Sequence, residues 1–475
     1  MTHPRAQKWL DFFEEYAKNL SQPDQGQFLQ QVSSVDWPQV AQLVEANLMG
    51  QSREASALDA SLLKPADFVG LPGSESEDES ARQASIEGQS MLRAGAVGVV
   101  IVAGGQGSRL GFEGPKGVYP IGAVTGASLF FFHARKVLAL SRKYGRPVPL
   151  MIMTSPENDA ASQLHFQSND YFGLNPEHVR FFTQGQMPAV DRITGEPLFA
   201  SSSRLALAPD GHGGCLYALS RAEASDGLSA IDWAEQFGVR TLFYFQVDNP
   251  LVKIADPLFL GLHRQAAAEV SFKVVSKQQP EEKVGVVCQS LDGRKLVIEY
   301  SDLPETLARQ RATSGALAYR AGSIAVHLFE TEFLKRLAVG ATRLPFHKAI
   351  KKVSHWDPHS GQFHEVQVPN AVKFEAFIFD TLPLAERSLI VETDRLEEFE
   401  PLKNATGPDS PSTVRAAMSR IAARLVAESG VEVPLDDQGE PLFAIELDPC
   451  FEVDLNQLKT RLGPGLKLTG DLVLG

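Results

Sequence analysis

The residues best suited to chemistry lie in the stretch Gly98-V-V-I-V-A-G-G-Q-G-S-R-L-G-F-E-G-P-K-G-V-Y-Pro120. Gly104, Gly105 and Gly107 form a loop with little side-chain bulk, so backbone N–H groups can approach an anion closely. Arg109 and Lys116 add two cations to meet the anion's charge. The chemistry this suits is phosphate binding. A Walker A loop needs G-x-x-x-x-G-K-[ST], whereas Lys116 is followed by Gly117. A dinucleotide fingerprint needs G-x-G-x-x-G, and Gly105-Gln106-Gly107-Ser108-Arg109-Leu110 has no third glycine in register. What remains is G-G-x-G-[ST]-R-L-G followed by P-K-G.

Further candidates lie downstream. Asp248 ends the almost wholly apolar run Thr241–Val247, at the carboxyl end of an expected buried strand, where open α/β sheets bind their ligands. A carboxylate there suits Mg²⁺ held against phosphate oxygens. Gln186 sits in an irregular loop, and its donor and acceptor would match the edge of a base as well as solvent. Pro209-D-G-H-G-Gly214 is glycine-rich enough for close backbone approach to a ligand. Taken locally, His212 reads as a turn histidine, Glu299 as an edge-strand residue and Lys403 as a surface lysine. Phe377 and Phe379 read as core packing. His347, His355, His359 and His364 lie close together, but no helical i, i+4 face unites them, and they are not read as a metal site.

The elements that must position these residues follow from periodicity. Gly98–Val102 reads as a strand buried on both faces, Ser128–Tyr144 as a helix and Val148–Met153 as a strand. A helix is expected near Ser155-Pro156-Glu157 with Ser155 as its cap. Strands at Val179–Phe182, Thr241–Val247 and Val270–Val275 follow, with a helix opened by Asp256-Pro257. This alternation predicts an α/β fold, a mostly parallel sheet with helices on both faces. Val284–Gln289 and Lys295–Tyr300 read as an inserted hairpin turning at Leu291-Asp292-Gly293. Leu10, Phe13, Ala17 and Leu20, then Val40, Leu43, Val44 and Leu48, recur at helical spacing. Leu71–Ser80 reads as a solvated connection, and Ser412–Ser429 as a helix among short strands. The expected division is a helical N-terminal region 1–88, a catalytic domain 89–390 and a small α+β C-terminal domain 391–475.

Composition bounds the function. A net charge of −13 argues against nucleic acid as the main partner, while a local Arg/Lys cluster can still hold phosphorylated small molecules. Cys215, Cys288 and Cys450 are odd in number and far apart, which points to a reducing compartment. Without a signal-like segment or an apolar run of spanning length, the chain reads as cytoplasmic, with no membrane partner. Its oligomeric state is left open.

From about Gly98 to Thr413 the sequence resembles the UDP-N-acetylglucosamine/UDP-sugar pyrophosphorylases. The glycine loop is one of several motifs met in order. The others are Gln186-M-P-Ala189, Ala208-P-D-G-H-G-Gly214, Val247-D-Asn249, Pro280-E-E-K-V-G-V-Val287, Glu299-Y-Ser301, Ala321-G-S-Ile324, Asn370-A-V-K-F-E-A-F-I-F-Asp380, Pro401-L-K-Asn404 and Pro411-S-Thr413. The resemblance implies a glycosyltransferase-A-like, Rossmann-like nucleotidyltransferase core. It implies a uridylyltransferase that makes UDP-sugar and pyrophosphate from UTP and a hexose 1-phosphate, with Mg²⁺. Arg109, Lys116 and Lys403 would be catalytic. Ala103, Gly104, Gly105, Gln186 and Gly211 would bind nucleotide. His212, Glu299, Ser323, Phe377 and Phe379 would bind sugar, and Asp248 the metal. N-acetylglucosamine 1-phosphate is the first choice of sugar. His212 and Ser323 stand where acetylhexosamine members typically carry Asn, which keeps glucose 1-phosphate or a broader UDP-sugar specificity as the alternative. A non-catalytic UDP-sugar-binding regulator is the third reading.

Overall fold

The structure, a computed structural model, describes residues 3–49, 62–72, 75–222, 226–339, 344–452, 455–462 and 465–475. Internal contacts divide the chain into two compact units. One comprises Met1–Asp59, Gln184–Ala218 and Thr342–Asp380, and the other Ala60–Thr183, Leu219–Ala341 and Thr381–Gly475.

The smaller unit begins with α1 (Pro4–Ala17), α2 (Gln22–Ser33) and α3 (Trp37–Val44), each with proline in its first turn, where a missing N–H costs nothing. Trp9 and Phe13 from α1, Phe28 from α2 and Trp37 from α3 are buried together. The strands beside them complete the core: Phe199 stacks on Phe28 with ring centroids 5.7 Å apart, and Met187, Val372 and Phe374 join the same cluster. Aromatic burial of this kind is worth roughly 1.5–3 kcal/mol per side chain. Three small antiparallel sheets accompany the helices. In one, Phe346–Lys351 pairs with Ala371–Ala376, which leads directly into the Phe377–Asp380 turn.

The larger unit is built on a ten-stranded sheet. Its strands and longest helices, in chain order, are β1 (Leu63–Pro65), α4 (Glu75–Arg93), β2 (Val97–Val102), α5 (Leu129–Tyr144), β3 (Leu150–Thr154), α6 (Asp159–Ser168), β4 (Val179–Thr183), β5 (Thr241–Gln246), α7 (Pro257–Gln265), β6 (Val270–Ser276), β7 (Val286–Ser290), β8 (Lys295–Ile298), β9 (Ala321–Glu330), β10 (Ser388–Glu392) and α8 (Pro411–Glu428). The main path runs β1-β7-β9-β5-β2-β3-β4. Off this path, β6 pairs with β9 and β10, and β8 with β7. The expected mostly parallel sheet holds for β5, β2, β3 and β4. Beyond β5 antiparallel pairs enter and only β6–β10 is parallel, so the sheet is mixed. The hairpin β7–β8 joins the main sheet, and β9 runs antiparallel to both β5 and β6.

Two local expectations also change. Ser155 does not cap α6. The helix starts at Asp159, with Asn158 as its N-cap residue, because the turn 155–158 is closed by Asn158 Oδ1 accepting from the Ser155 N–H at 2.8 Å. The stretch 71–80 is not a loop throughout: α4 begins at Glu75, and residues 73–74 lie outside the described residues. No described helix is long and apolar enough to cross a membrane.

Candidate functional site

Strands β5, β2 and β3 are parallel neighbours in matched register, with Gln246 opposite Val102 and Val102 opposite Met153. Their carboxyl ends therefore place Asp248, the glycine loop and the turn 155–158 side by side. The loop folds back on itself: Gly107 N–H donates to Gly114 O at 2.9 Å, and Lys116 N–H donates to Gly105 O at 3.0 Å. A side chain at Gly117 would meet the Phe130 ring at 2.3 Å, which accounts for the glycine after the lysine. The result brings Lys116 Nζ to 3.1 Å from Asp248 Oδ2. Their side chains are only 18 % and 14 % exposed, so solvent screens this pair less than a surface one. Arg109 stands on the exposed turn Ser108–Leu110 and makes no ion pair among the described residues.

Sequence reasoning missed what holds the loop. Asn158, 1 % exposed, donates from Nδ2 to Ala103 O at 3.0 Å and to Gly105 O at 3.2 Å. These two carbonyls lie within the proposed nucleotide-binding backbone. The visible signal was an asparagine three residues after Ser155, the residue read from the sequence as the helix cap. Beneath the other strand end, the His133 ring Nε2 hydrogen-bonds Val247 O at 2.9 Å. Burial pushes this histidine down to about 3, so it is neutral. The ring then donates from Nε2.

Lys403 reaches the same strand end through the backbone. Leu402 N–H donates to Asp248 O at 2.8 Å, and Asn249 Nδ2 donates to Glu398 O at 2.6 Å. The Glu398 carboxylate lies 2.7 Å from Lys273 Nζ, which also meets Asp256 at 3.0 Å. Burial pulls the Lys273 amine down, but the two carboxylates outweigh it and hold the group above its ordinary value. This buried triad fixes the segment leading to Lys403.

Glu299 and Ser323 converge on Gly285 in the same unit. Ser323 N–H donates to Gly285 O at 2.8 Å, and a β-carbon at Gly285 would lie 3.5 Å from Glu299 Oε1.

The remaining predicted residues belong to the smaller unit. Gly211 has φ +87°, and a side chain there would meet Ala376 O at 2.3 Å, so the fold itself demands glycine. Gln184, 7 % exposed and not foreseen, donates from Nε2 to Gly211 O at 2.7 Å. Gln186 lies on the neighbouring strand, opposite Pro209. His212 Nδ1 accepts from the Ile378 N–H at 3.1 Å, which leaves the ring proton on Nε2. Burial, with His347 adding to it, lowers His212 to about 4. Phe377 is sandwiched between His212 and His347, with ring centroids 5.3 and 4.5 Å away, and Phe379 lies 5.5 Å from His212. His347 in turn meets Asp380 at 2.8 Å. Of the four clustered histidines, His355 and His364 stack on each other at 5.5 Å, and His355 Nδ1 also lies 3.2 Å from Val353 O.

As a magnesium site the arrangement fits. No group of three or more His, Cys, Asp or Glu residues suited to a metal occurs among the described residues. Mg²⁺ bound to a phosphate commonly takes only one or two protein carboxylates, and Asp248 at the strand end could supply one.

Residues 70–434 match the family described as UTP--glucose-1-phosphate uridylyltransferase. The chain is 33 % identical to the UDP-N-acetylglucosamine pyrophosphorylase of Saccharomyces cerevisiae over 434 residues, 88 % of each protein. It is 32 % identical to UDP-N-acetylglucosamine diphosphorylase 1 of Arabidopsis thaliana over 424 residues, covering 86 % of this chain and 80 % of that one. Among solved structures, the uridine diphosphate N-acetylglucosamine pyrophosphorylase of Trypanosoma brucei, in complex with inhibitor, superposes with a TM-score of 0.80 at 25 % identity, covering 95 % of this chain and 92 % of that one. A phosphate-type loop beside a paired lysine and aspartate, and likeness along most of the chain, agree: the protein belongs to the UDP-sugar pyrophosphorylase family of nucleotidyltransferases.

Proposed function

We propose that the protein joins UTP and N-acetylglucosamine 1-phosphate into UDP-N-acetylglucosamine and pyrophosphate. The observation that carries this reading is the Lys116–Asp248 pair beside the glycine loop. The yeast relative, similar over most of both chains, supports the choice of sugar. In the reaction a phosphate oxygen of the sugar 1-phosphate attacks the α-phosphorus of UTP in line. The new P–O bond forms as the bond to the β-phosphate oxygen breaks, and pyrophosphate leaves. Such a step needs alignment and charge neutralisation, not a covalent nucleophile.

Arg109 and Lys116 neutralise the triphosphate and the leaving pyrophosphate, and backbone around Ala103, Gly104 and Gly105 holds the nucleotide. Lys403 neutralises the sugar phosphate and the α-phosphate. Gln186 and Gly211 receive the uridine. His212, as a neutral ring, donates from Nε2, Glu299 accepts from sugar hydroxyls, and Phe377 and Phe379 wall the sugar, with Ser323 beside it. Asp248 would hold Mg²⁺, which when bound supplies further neutralisation of phosphate charge. Residues 89–390 carry most of this machinery, and the segment after 390 contributes Lys403. The three free thiols support a cytoplasmic setting.

His212 favours a second reading, glucose 1-phosphate, since acetylhexosamine relatives typically carry Asn there. Pyrophosphate release is to be measured with UTP, Mg²⁺ and each sugar phosphate in turn. The first reading expects N-acetylglucosamine 1-phosphate to give the higher kcat/KM. A preference for glucose 1-phosphate supports the second, and no release with either sugar phosphate defeats both.

A further inference from the structure

The two lysines assigned to phosphate are held in opposite ways. The Lys116 ammonium is paired with Asp248 at 3.1 Å. Lys403, half-buried, makes no ion pair among the described residues. Its backbone is nevertheless fixed on both sides. Leu402, fully buried, donates its N–H to Asp248 O at 2.8 Å, and the Lys403 and Asn404 N–H groups both donate to Asp409 O, at 2.7 and 3.0 Å. Asn404 Nδ2 closes the same turn on Pro408 O at 2.8 Å. What meets the ammonium is a ring: Lys403 Nζ stands over Phe399, 5.8 Å from its centroid. Phe399 is itself anchored. It is buried in the same core cluster as Phe245 and Val247, and its N–H donates to Arg395 O at 3.0 Å. The Arg395 guanidinium also stands over the ring, 5.5 Å away, and is bound in turn to Glu282.

We propose that Phe399 is a positioning residue for Lys403: its ring face steadies the ammonium while leaving the charge available to an anionic substrate. A ring attracts a cation through its quadrupole but has no net charge with which to cancel it. A carboxylate in the same place would neutralise the ammonium, and an arriving phosphate would first have to displace it. The flexible lysine stem gives up rotamer freedom when its tip is held, so a ring that holds it beforehand lowers what the substrate must still order. The kinetic part of this proposal rests on the role proposed for Lys403 in the transfer, whereas the contact itself does not.

The test uses the whole protein. Lysines are reductively methylated with isotope-labelled formaldehyde, which keeps their charge, and the Lys403 NMR signal is assigned by its loss in Lys403→Met. The ring current is expected to set this signal upfield of those of exposed lysines, and Phe399→Leu to return it to them. Phe399→Met serves as the ringless variant should Phe399→Leu fail to fold. In the pyrophosphate-release assay, Phe399→Leu is expected to lower kcat/KM for the sugar phosphate about threefold to tenfold, the size of a partly desolvated cation–ring contact, with KM for UTP unchanged. Phe399→Tyr, which keeps the ring face, restores the wild-type value. In a Lys403→Met background Phe399→Leu is expected to have no further effect, a result that a ring acting only through core packing would not give. A Lys403 signal that stays in place in the folded ringless variant overturns the contact. An equal kinetic loss with and without Lys403 overturns the positioning. Full activity of Lys403→Met, or no release with any sugar phosphate, overturns the kinetic part through the transferase reading, while the NMR signal still decides the contact.

Discussion

Lys116 and Asp248 neutralise each other across 3.1 Å in a poorly exposed setting, so removing either strands the other. Lys116→Ala is expected to lower kcat for pyrophosphate formation about 10²-fold or more, as measured by the pyrophosphate-release assay, because in the proposed mechanism it also removes charge stabilisation from the leaving group. His133 gives a pH signature. Its imidazole is held at about 3, against an ordinary value near 6.5, so the unfolded chain binds the proton first. Its contribution is fully present above about pH 6.5 and declines as pH falls toward 3, by up to about 1.4 kcal/mol per pH unit. Urea unfolding at pH 7 and pH 5 is expected to show this loss, and His133→Gln is expected to flatten it. His212, at about 4, stays neutral from pH 5.5 upward, so its ionisation leaves no inflection in kcat/KM there. Lys116 and Asp248 were legible in the sequence because each sits in a compact motif at a strand end. Asn158, Gln184 and His347 were not, since their partners are 53, 27 and 33 residues away.

At the scale of elements, two short segments given roles in the proposed mechanism, the glycine loop and the one before Lys403, are held by buried polar groups. The glycine loop hangs on Asn158. Asn158→Ala leaves the Ala103 and Gly105 carbonyls without that donor, at a cost of about 1–3 kcal/mol. A rise in KM for UTP, larger than any change in KM for the sugar phosphate, is the expected kinetic result. The segment before Lys403 hangs on Lys273. Replacing it with Met abandons two carboxylates in a buried setting and is expected to cost about 3–5 kcal/mol in urea unfolding. Long apolar strands and capped helices announced themselves: Ser128 caps α5 and Asp256 caps α7 by accepting from Phe131 and Leu258 N–H groups, as those residue types suggest. Direction was harder to read. β9 looks like any buried strand, and only its partners on both sides reveal that it reverses the sheet.

For the molecule as a whole, the C-terminal residues are structural partners of the site's own unit. Arg415 donates to Pro120 O at 2.8 Å, Arg135 meets Asp448, and Glu446 receives the 124–125 turn. Truncation after residue 410 is therefore expected to lower the melting temperature and expose apolar surface, read by differential scanning calorimetry. Such pairings between distant segments escape periodicity altogether, and so does the three-piece make-up of the smaller unit. That make-up has a consequence during synthesis. Trp9, Phe13, Phe28 and Trp37 leave the ribosome early, but Phe199, and then Val372 and Phe374, complete their core much later. At roughly 5–20 residues per second, the nascent helices wait tens of seconds with their aromatic face uncovered. An uncovered aromatic face of this kind is the surface that aggregation and chaperones compete for during synthesis.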